Sequence, residues 1–162
     1  MNKMKKMEYE SIIQPVLEVD EFLKLKEMGH HGITRFEHSE RVARYTYRIT
    51  KLCHLNYREA TFAAMLHDFF TIEVKKVNVY QKMAKHPRIA VDNSSKYFTL
   101  SDLEEDIILT HMFPITFKPP KYLESWIVDI VDDFVALYEW MFSFRREVAT
   151  FATFLLHFLS LK

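Results

Sequence analysis

The chain has 162 residues, of which 49% are hydrophobic, and its 22 basic residues balance its 22 acidic ones. This is enough to bury one core, so we expect a single domain over residues 1–162. The zero net charge gives no sign of a nucleic-acid or membrane partner. The only cysteine, Cys53, excludes an internal disulfide framework and a cysteine-based zinc site, and it favours a reducing, cytoplasmic location.

The scarcity of turn residues predicts an all-α fold, a bundle of about seven or eight helices. Only two glycines are present, Gly29 and Gly32, so the glycine-rich phosphate loops of Walker-type and dinucleotide-binding folds are excluded. An apolar run near the C-terminus, 148–161, is too short to span a bilayer. It suits a buried helix or a subunit contact, and a homodimer is one interpretation.

The first strong helix signal is Thr34-Arg35-Phe36-Glu37, which fits a capping box. The helix that follows is predicted to bury a stripe of side chains spaced by four and three residues. Its members are His38, Val42, Tyr45, Ile49 and Leu52.

A central helix is predicted next, capped by Asn56 and apolar from Ala60 to Leu66, with the dipeptide His67-Asp68 near its end. Residues 71–78 are expected to form a loop or a helical turn. His86-Pro87 is predicted to start another helix, because proline is favoured in the first turn.

A second capping box, Ser101 to Glu104, opens a helix that leads to His111. Prolines then delimit a loop over residues 113–118. We expect a long helix over about 121–140, carrying an acidic cluster, and a separate C-terminal helix over about 144–159. The residues that could bind a metal or take part in catalysis all lie within about 30–140.

Six residues at the edges of these apolar stripes are candidate metal ligands. They are His38, His67, Asp68, His86, His111 and Asp132. Imidazole and carboxylate groups suit zinc, manganese or iron. Adjacent helical residues point about 100° apart, so His67 and Asp68 do not chelate one ion side by side, but a carboxylate can bridge two ions. Each residue alone suits a core or capping role; together a metal centre is the more economical interpretation.

The order and context of these residues resemble the HD-domain superfamily of metal-dependent phosphohydrolases. The similarity is to the subset with the pattern H…HD…H…H…D, in which two further histidines complete a dinuclear site. The segments that carry the resemblance are Glu-His-Ser-Glu-Arg-Val-Ala-Arg-Tyr, Ala-Met-Leu-His-Asp-Phe-Phe, His-Pro-Arg-Ile-Ala-Val-Asp-Asn and Asp-Ile-Ile-Leu-Thr-His-Met-Phe-Pro-Ile-Thr. Val-Asp-Asp at 131–133 stands where many relatives have Ala-Asp-Lys. The chain also resembles a group of small bacterial predicted hydrolases.

The resemblance implies an HD-type helical bundle with two divalent metal ions in a central cleft. Iron and manganese are the preferred candidates, and zinc, magnesium, nickel and cobalt are also compatible. One ion would be held by His38, His67, Asp68 and Asp132, and the other by Asp68, His86 and His111. Asp129, one turn before Asp132, is the fallback ligand.

The implied reaction is attack on phosphorus by a hydroxide that bridges the two ions, with His67 and Asp68 as the catalytic pair. The substrate would be a small phosphorylated metabolite, with a nucleotide preferred. Four basic residues are candidates to hold its phosphate: Arg41 and Arg88, and at the cleft rim Arg35 and Lys118. Solvated surface charge is an equally good interpretation of each.

Two other functions fit the same ligand order. HD-fold mixed-valent di-iron oxygenases share the six ligands, so the ligands alone do not separate an oxygenase from a hydrolase. A non-catalytic module that senses a metal or a nucleotide is the third interpretation, with the aromatic C-terminal helix as its partner surface.

Overall fold

The computed structural model describes residues 3–30, 33–71 and 79–160. In this part of the chain, seven α-helices follow one another. One 3₁₀ turn and one hairpin, whose two strands have two residues each, lie between α2 and α3. The elements are α1 (Lys3–Leu17), α2 (Asp20–Leu23), the 3₁₀ turn (Lys24–Glu27), β1 (Gly29–His30), β2 (Ile33–Thr34), α3 (Arg35–Leu52), α4 (Tyr57–Leu66), α5 (Val79–Ser94), α6 (Asp102–Thr110) and α7 (Leu123–Ser160). The all-α prediction is confirmed.

Both predicted capping boxes are present. The Thr34 side chain accepts a hydrogen bond from the Glu37 N–H, and the Glu37 carboxylate accepts one from the Thr34 N–H. Ser101 and Glu104 make the same reciprocal pair at the start of α6. Each box satisfies two backbone donors that the first helical turn leaves without partners, which is why α3 and α6 begin where they do.

Helix α4 lies at the centre of the bundle and packs against α1, α3, α6 and α7. Its buried residues Ala60, Ala63 and Ala64 are small, so the neighbouring helices approach it closely, and Met65 and Leu66 fill the space at its end. This central position puts the two residues that follow α4 deep inside the protein.

Two helix boundaries differ from prediction. Helix α5 begins at Val79, so Pro87 lies inside it rather than in its first turn. Helix α7 is continuous to Ser160, and the predicted break before residue 144 is absent because Met141-Phe142-Ser143 contains neither proline nor glycine. The predicted loop at 71–78 lies almost wholly outside the described residues.

The predicted buried stripe of α3 is correct only in its first half. His38 and Val42 are buried, whereas Tyr45, Ile49 and Leu52 are exposed. The buried face of the second half instead carries Thr46, Tyr47 and Thr50. The helix therefore presents a partly polar face to the core and an apolar one outward. None of the helices in the described ranges combines the length and apolarity needed to cross a lipid bilayer.

Candidate metal centre

The six candidate ligands meet at one buried point. His38 comes from the first turn of α3, His86 from the middle of α5 and Asp132 from α7, while His67-Asp68 and His111 directly follow α4 and α6. All six side chains are buried. Their ligand atoms form three overlapping groups, each within 4.8 Å: His38, His67 and Asp68; His67, His111 and Asp132; and Asp68, His86 and His111.

His67 and His111 are held in the same way. Each is the residue that follows its helix, and each Nδ1 lies 2.7 Å from a carbonyl oxygen of the last turn, that of Ala64 and of Ile108 respectively. A carbonyl only accepts, so each Nδ1 carries a proton, and in the neutral form of the ring the Nε2 lone pair is left for a ligand. The Nε2 of His67 is buried without a hydrogen-bond partner. A buried lone pair of this kind fits a metal ion.

His38 is oriented by a carboxylate that the sequence pattern did not reveal. Its Nδ1 lies 2.9 Å from Glu139 Oε2, and its Nε2 lies 2.8 Å from Asp132 Oδ1. The other oxygen of Glu139 accepts a hydrogen bond from Arg41 at 2.9 Å. A carboxylate behind a ligating histidine fixes the ring and raises its basicity. The spacing held a signal, because Glu139 lies seven residues, two helical turns, after Asp132 and so on the same face of α7.

The two aspartates of α7 have different environments. Asp132 Oδ1 lies 2.8 Å from His38 Nε2 and 3.6 Å from His67 Nε2, inside the cluster. Asp129 instead accepts a hydrogen bond from the Phe113 N–H, and burial, together with the nearby charge of Asp133, raises its pKa to about 7. The geometry therefore favours Asp132 over the fallback.

Asp68 faces the second pair of histidines. Its Oδ1 lies 3.3 Å from His86 Nε2 and 4.0 Å from His111 Nε2, and those two nitrogens are 2.8 Å apart. Two imidazole nitrogens at this separation need a proton or a cation between them. Because Asp68 is also grouped with His38 and His67, it stands where the two halves of the cluster meet.

The electrostatics of the cluster favour added positive charge. Burial alone would raise the pKa of Asp68 and Asp132, but the charges of the surrounding histidines hold both well below the ordinary value. Burial by itself lowers the pKa of His38, yet its hydrogen bonds to Asp132 and Glu139 raise it to about 10. The site thus keeps carboxylates ionised inside the protein because positive charge surrounds them.

A family model for the HD domain matches residues 35–137. The chain belongs to the HD domain family. This confirms the predicted family, whose members are generally metal-dependent hydrolases. No curated protein and no solved structure gives a significant match to the chain. The described His and Asp groups are compatible with divalent metal binding, as expected for an HD domain.

The basic residues predicted to bind substrate lie in different places in this HD domain. Arg35 is buried: its Nη1 donates to the Phe70 carbonyl at 2.6 Å, and its Nε lies 3.8 Å from Asp68 Oδ2. Arg41 pairs with Glu139, and Lys118 is exposed beside a polar pocket near α6. Arg88 is 66% exposed and pairs with Asp92 on its own helix. The structure thus brings Arg35 and Arg41 to the cluster, whereas Arg88 contacts exposed carboxylates of α5 and α6.

Proposed function

We propose that this HD domain is a cytoplasmic, dinuclear phosphohydrolase that acts on a small phosphorylated metabolite. A nucleotide is the preferred candidate substrate. The observation that carries the proposal is the position of Asp68. Its carboxylate is grouped with His38 and His67 on one side and with His86 and His111 on the other. A carboxylate between two sets of imidazole ligands suits a site for two ions.

In this proposal His38, His67, Asp68 and Asp132 hold one ion, and Asp68, His86 and His111 hold the other, with iron or manganese preferred. When bound, two such ions lower the pKa of water and offset charge on phosphoryl oxygens. The residues of the chain supply the rest. Ala64 and Ile108 keep the Nε2 lone pairs of His67 and His111 aimed inward, and Glu139 orients His38.

The side chain of Arg35 contacts the segment that carries His67 and Asp68. Its guanidinium stacks on the Phe70 ring, 3.7 Å from the ring centroid, while it contacts the Phe70 carbonyl and approaches Asp68. The segment that follows α4 is thereby fixed, and Asp68 keeps its position between the two histidine sets. Arg41 is about one third exposed, but it lines an apolar groove on the outer side of α3 and α7, so its part in the site is to pair with Glu139.

The test is to load the protein with manganese or iron without oxygen, measure bound metal, and screen nucleotides and other phosphate esters for phosphate release. We expect two equivalents of metal and phosphate release, both lost in Asp68→Ala. Asp92→Ala, which removes an exposed carboxylate of α5, is the matched control and should keep both.

Other outcomes would redirect or overturn the proposal. Turnover that requires oxygen and a half-oxidised di-iron centre would identify an oxygenase. Bound metal without turnover of any phosphate ester would favour a sensing module. Failure to bind metal under every loading condition would remove the metal centre itself.

A further inference from the structure

The outward face of α7 carries an unbroken apolar stripe with the spacing of a coiled coil. We call it the α7 seam, and its residues alternate at intervals of four and three: Ile130, Phe134, Leu137, Met141, Phe144 and Val148. The sequence continues the same spacing at Phe151, Leu155 and Phe158. A repeat of 3.5 residues keeps one stripe facing a partner helix along its whole length.

This stripe is open to solvent in the single chain. The six seam residues through Val148 are between 49% and 69% exposed. Soluble monomers rarely expose a contiguous apolar patch of more than a few hundred Å². The seam also extends past residue 137, where the match to the HD domain ends. The stripe therefore needs a covering that the rest of the domain does not supply to these residues.

Helix α3 adds a second exposed stripe beside the first. Tyr45 and Ile49, which the sequence pattern predicted to be buried, face the same side as Ile130, Phe134 and Tyr138. Between the two helices these side chains line an open groove of about 430 Å³. Two amphipathic patterns thus converge on one groove of a size and polarity that suit an apolar helix.

A second copy of this chain provides such a helix. Residues 140–160 extend α7 by roughly 30 Å, which is longer than the stretch of α7 that lines the groove. The six seam residues with Tyr45 and Ile49 are each about half exposed, so they offer on the order of 800 Å² per copy. A stable interface buries about that much from each partner. The seam is also self-complementary, as a two-fold interface requires.

We infer that two copies of this protein pair through their α7 seams in antiparallel orientation, so that the C-terminal half of each α7 lies in the α3–α7 groove of the other. The antiparallel orientation follows from the two exposed surfaces. It covers both grooves with both helix extensions, whereas a parallel pair would place groove beside groove and leave the α3 stripes open. The metal cluster lies on the inner face of α7, and Arg41 joins the two regions, because it lines the groove and pairs with Glu139.

The test is sedimentation of the full chain over a range of protein concentrations, with a charge placed on or off the seam. Phe144 lies on the seam and is 55% exposed, and Met7 on α1 is a comparable apolar residue that is 62% exposed. Met7 is on neither helix that lines the groove. Phe144→Glu puts like charges into the seam and should weaken the dimer by at least about a hundredfold, whereas Met7→Glu should leave its dissociation constant unchanged.

Orientation is tested with Phe134→Cys in a Cys53→Ser background. In an antiparallel pair the two residues at position 134 are far apart, so oxidation should give no disulfide-linked dimer. A wild-type chain that stays monomeric at every concentration, or equal dissociation by Met7→Glu and Phe144→Glu, would overturn the pairing. Efficient crosslinking at position 134 would overturn the antiparallel arrangement. Because Met7 and Phe144 are both exposed, circular dichroism should show each glutamate variant folded as the wild type is.

Discussion

The two faces of the α3–α7 pair reverse the usual distribution of polarity. The inner face buries His38, Asp132 and Glu139 among apolar neighbours, whereas the outer face exposes apolar residues such as Ile49 and Phe134. In an ordinary surface helix the apolar stripe faces the core and the charges face water. The reversal shows that hydrophobicity alone does not decide which side of these helices lies inside.

Each face has a different physical requirement. Buried charges are stable only with partners. On the inner face these partners are the contacts between imidazole rings and carboxylates. An apolar face needs only to be covered, and many shapes can cover it. The inner face is consequently specific and intolerant of change, while the outer face should tolerate change in a single folded chain.

The largest effect is expected from Asp132→Asn. Loss of this carboxylate removes a contact to both His38 and His67 and should lower the hydrolytic rate by roughly a thousandfold, together with bound metal. The matched control is Asp129→Asn, one turn away on the same helix, which should keep its metal because Asp129 bonds to the Phe113 backbone. Metal analysis and phosphate release measure both variants. The reverse result would make Asp129 the ligand and move the site along α7.

A smaller effect is expected from Glu139→Gln. The amide keeps the shape of the side chain but removes the charge that orients His38, so metal affinity should fall by about 10- to 100-fold with little change in folding. Metal titration against a competing chelator measures the affinity. Arg41→Lys, which keeps a cation beside Glu139, should lie between the wild type and this variant. An unchanged metal affinity in Glu139→Gln would show that Glu139 does not act on the metal site through His38.

The fold could be predicted from the sequence wherever the signal was local. Capping boxes at Thr34 and Ser101 depend on residues three apart, and both were predicted correctly. The start of α5 and the end of α7 were less accessible, since a proline is tolerated inside α5 and nothing in 141–143 stops α7. Local rules describe how a helix begins better than they describe how far it continues.

The candidate site shows the same division. The order of six His and Asp residues predicted their convergence without any structure, because each lay at the edge of an apolar stripe. Glu139 was missed because a single glutamate in a helix usually lies on a solvated face, and only the fold places it behind His38. The role of Arg35 was also inaccessible, since its contact to Phe70 joins residues 35 positions apart. Contacts across helices require the packing, which local patterns do not contain.

The smallest effect is expected from Leu52→Ala at the end of the outer stripe of α3. The predicted stripe would make Leu52 a core residue, whereas the structure leaves it 79% exposed. Its truncation should change the free energy of unfolding by no more than about 0.5 kcal/mol. Leu66→Ala is the matched control, because this fully buried leucine at the end of α4 should cost about 2–5 kcal/mol.

Urea unfolding at low protein concentration, where any dimer is dissociated, measures both leucine variants. Equal losses would mean that Leu52 is buried within the single chain, as the sequence pattern suggested, and the contrast between the two faces of α3 would fail. A loss at Leu52 that appears only at high protein concentration would instead mean that the outer stripe is covered by association. The concentration dependence therefore separates burial inside one chain from burial between two, which the apolar spacing of α3 by itself does not distinguish.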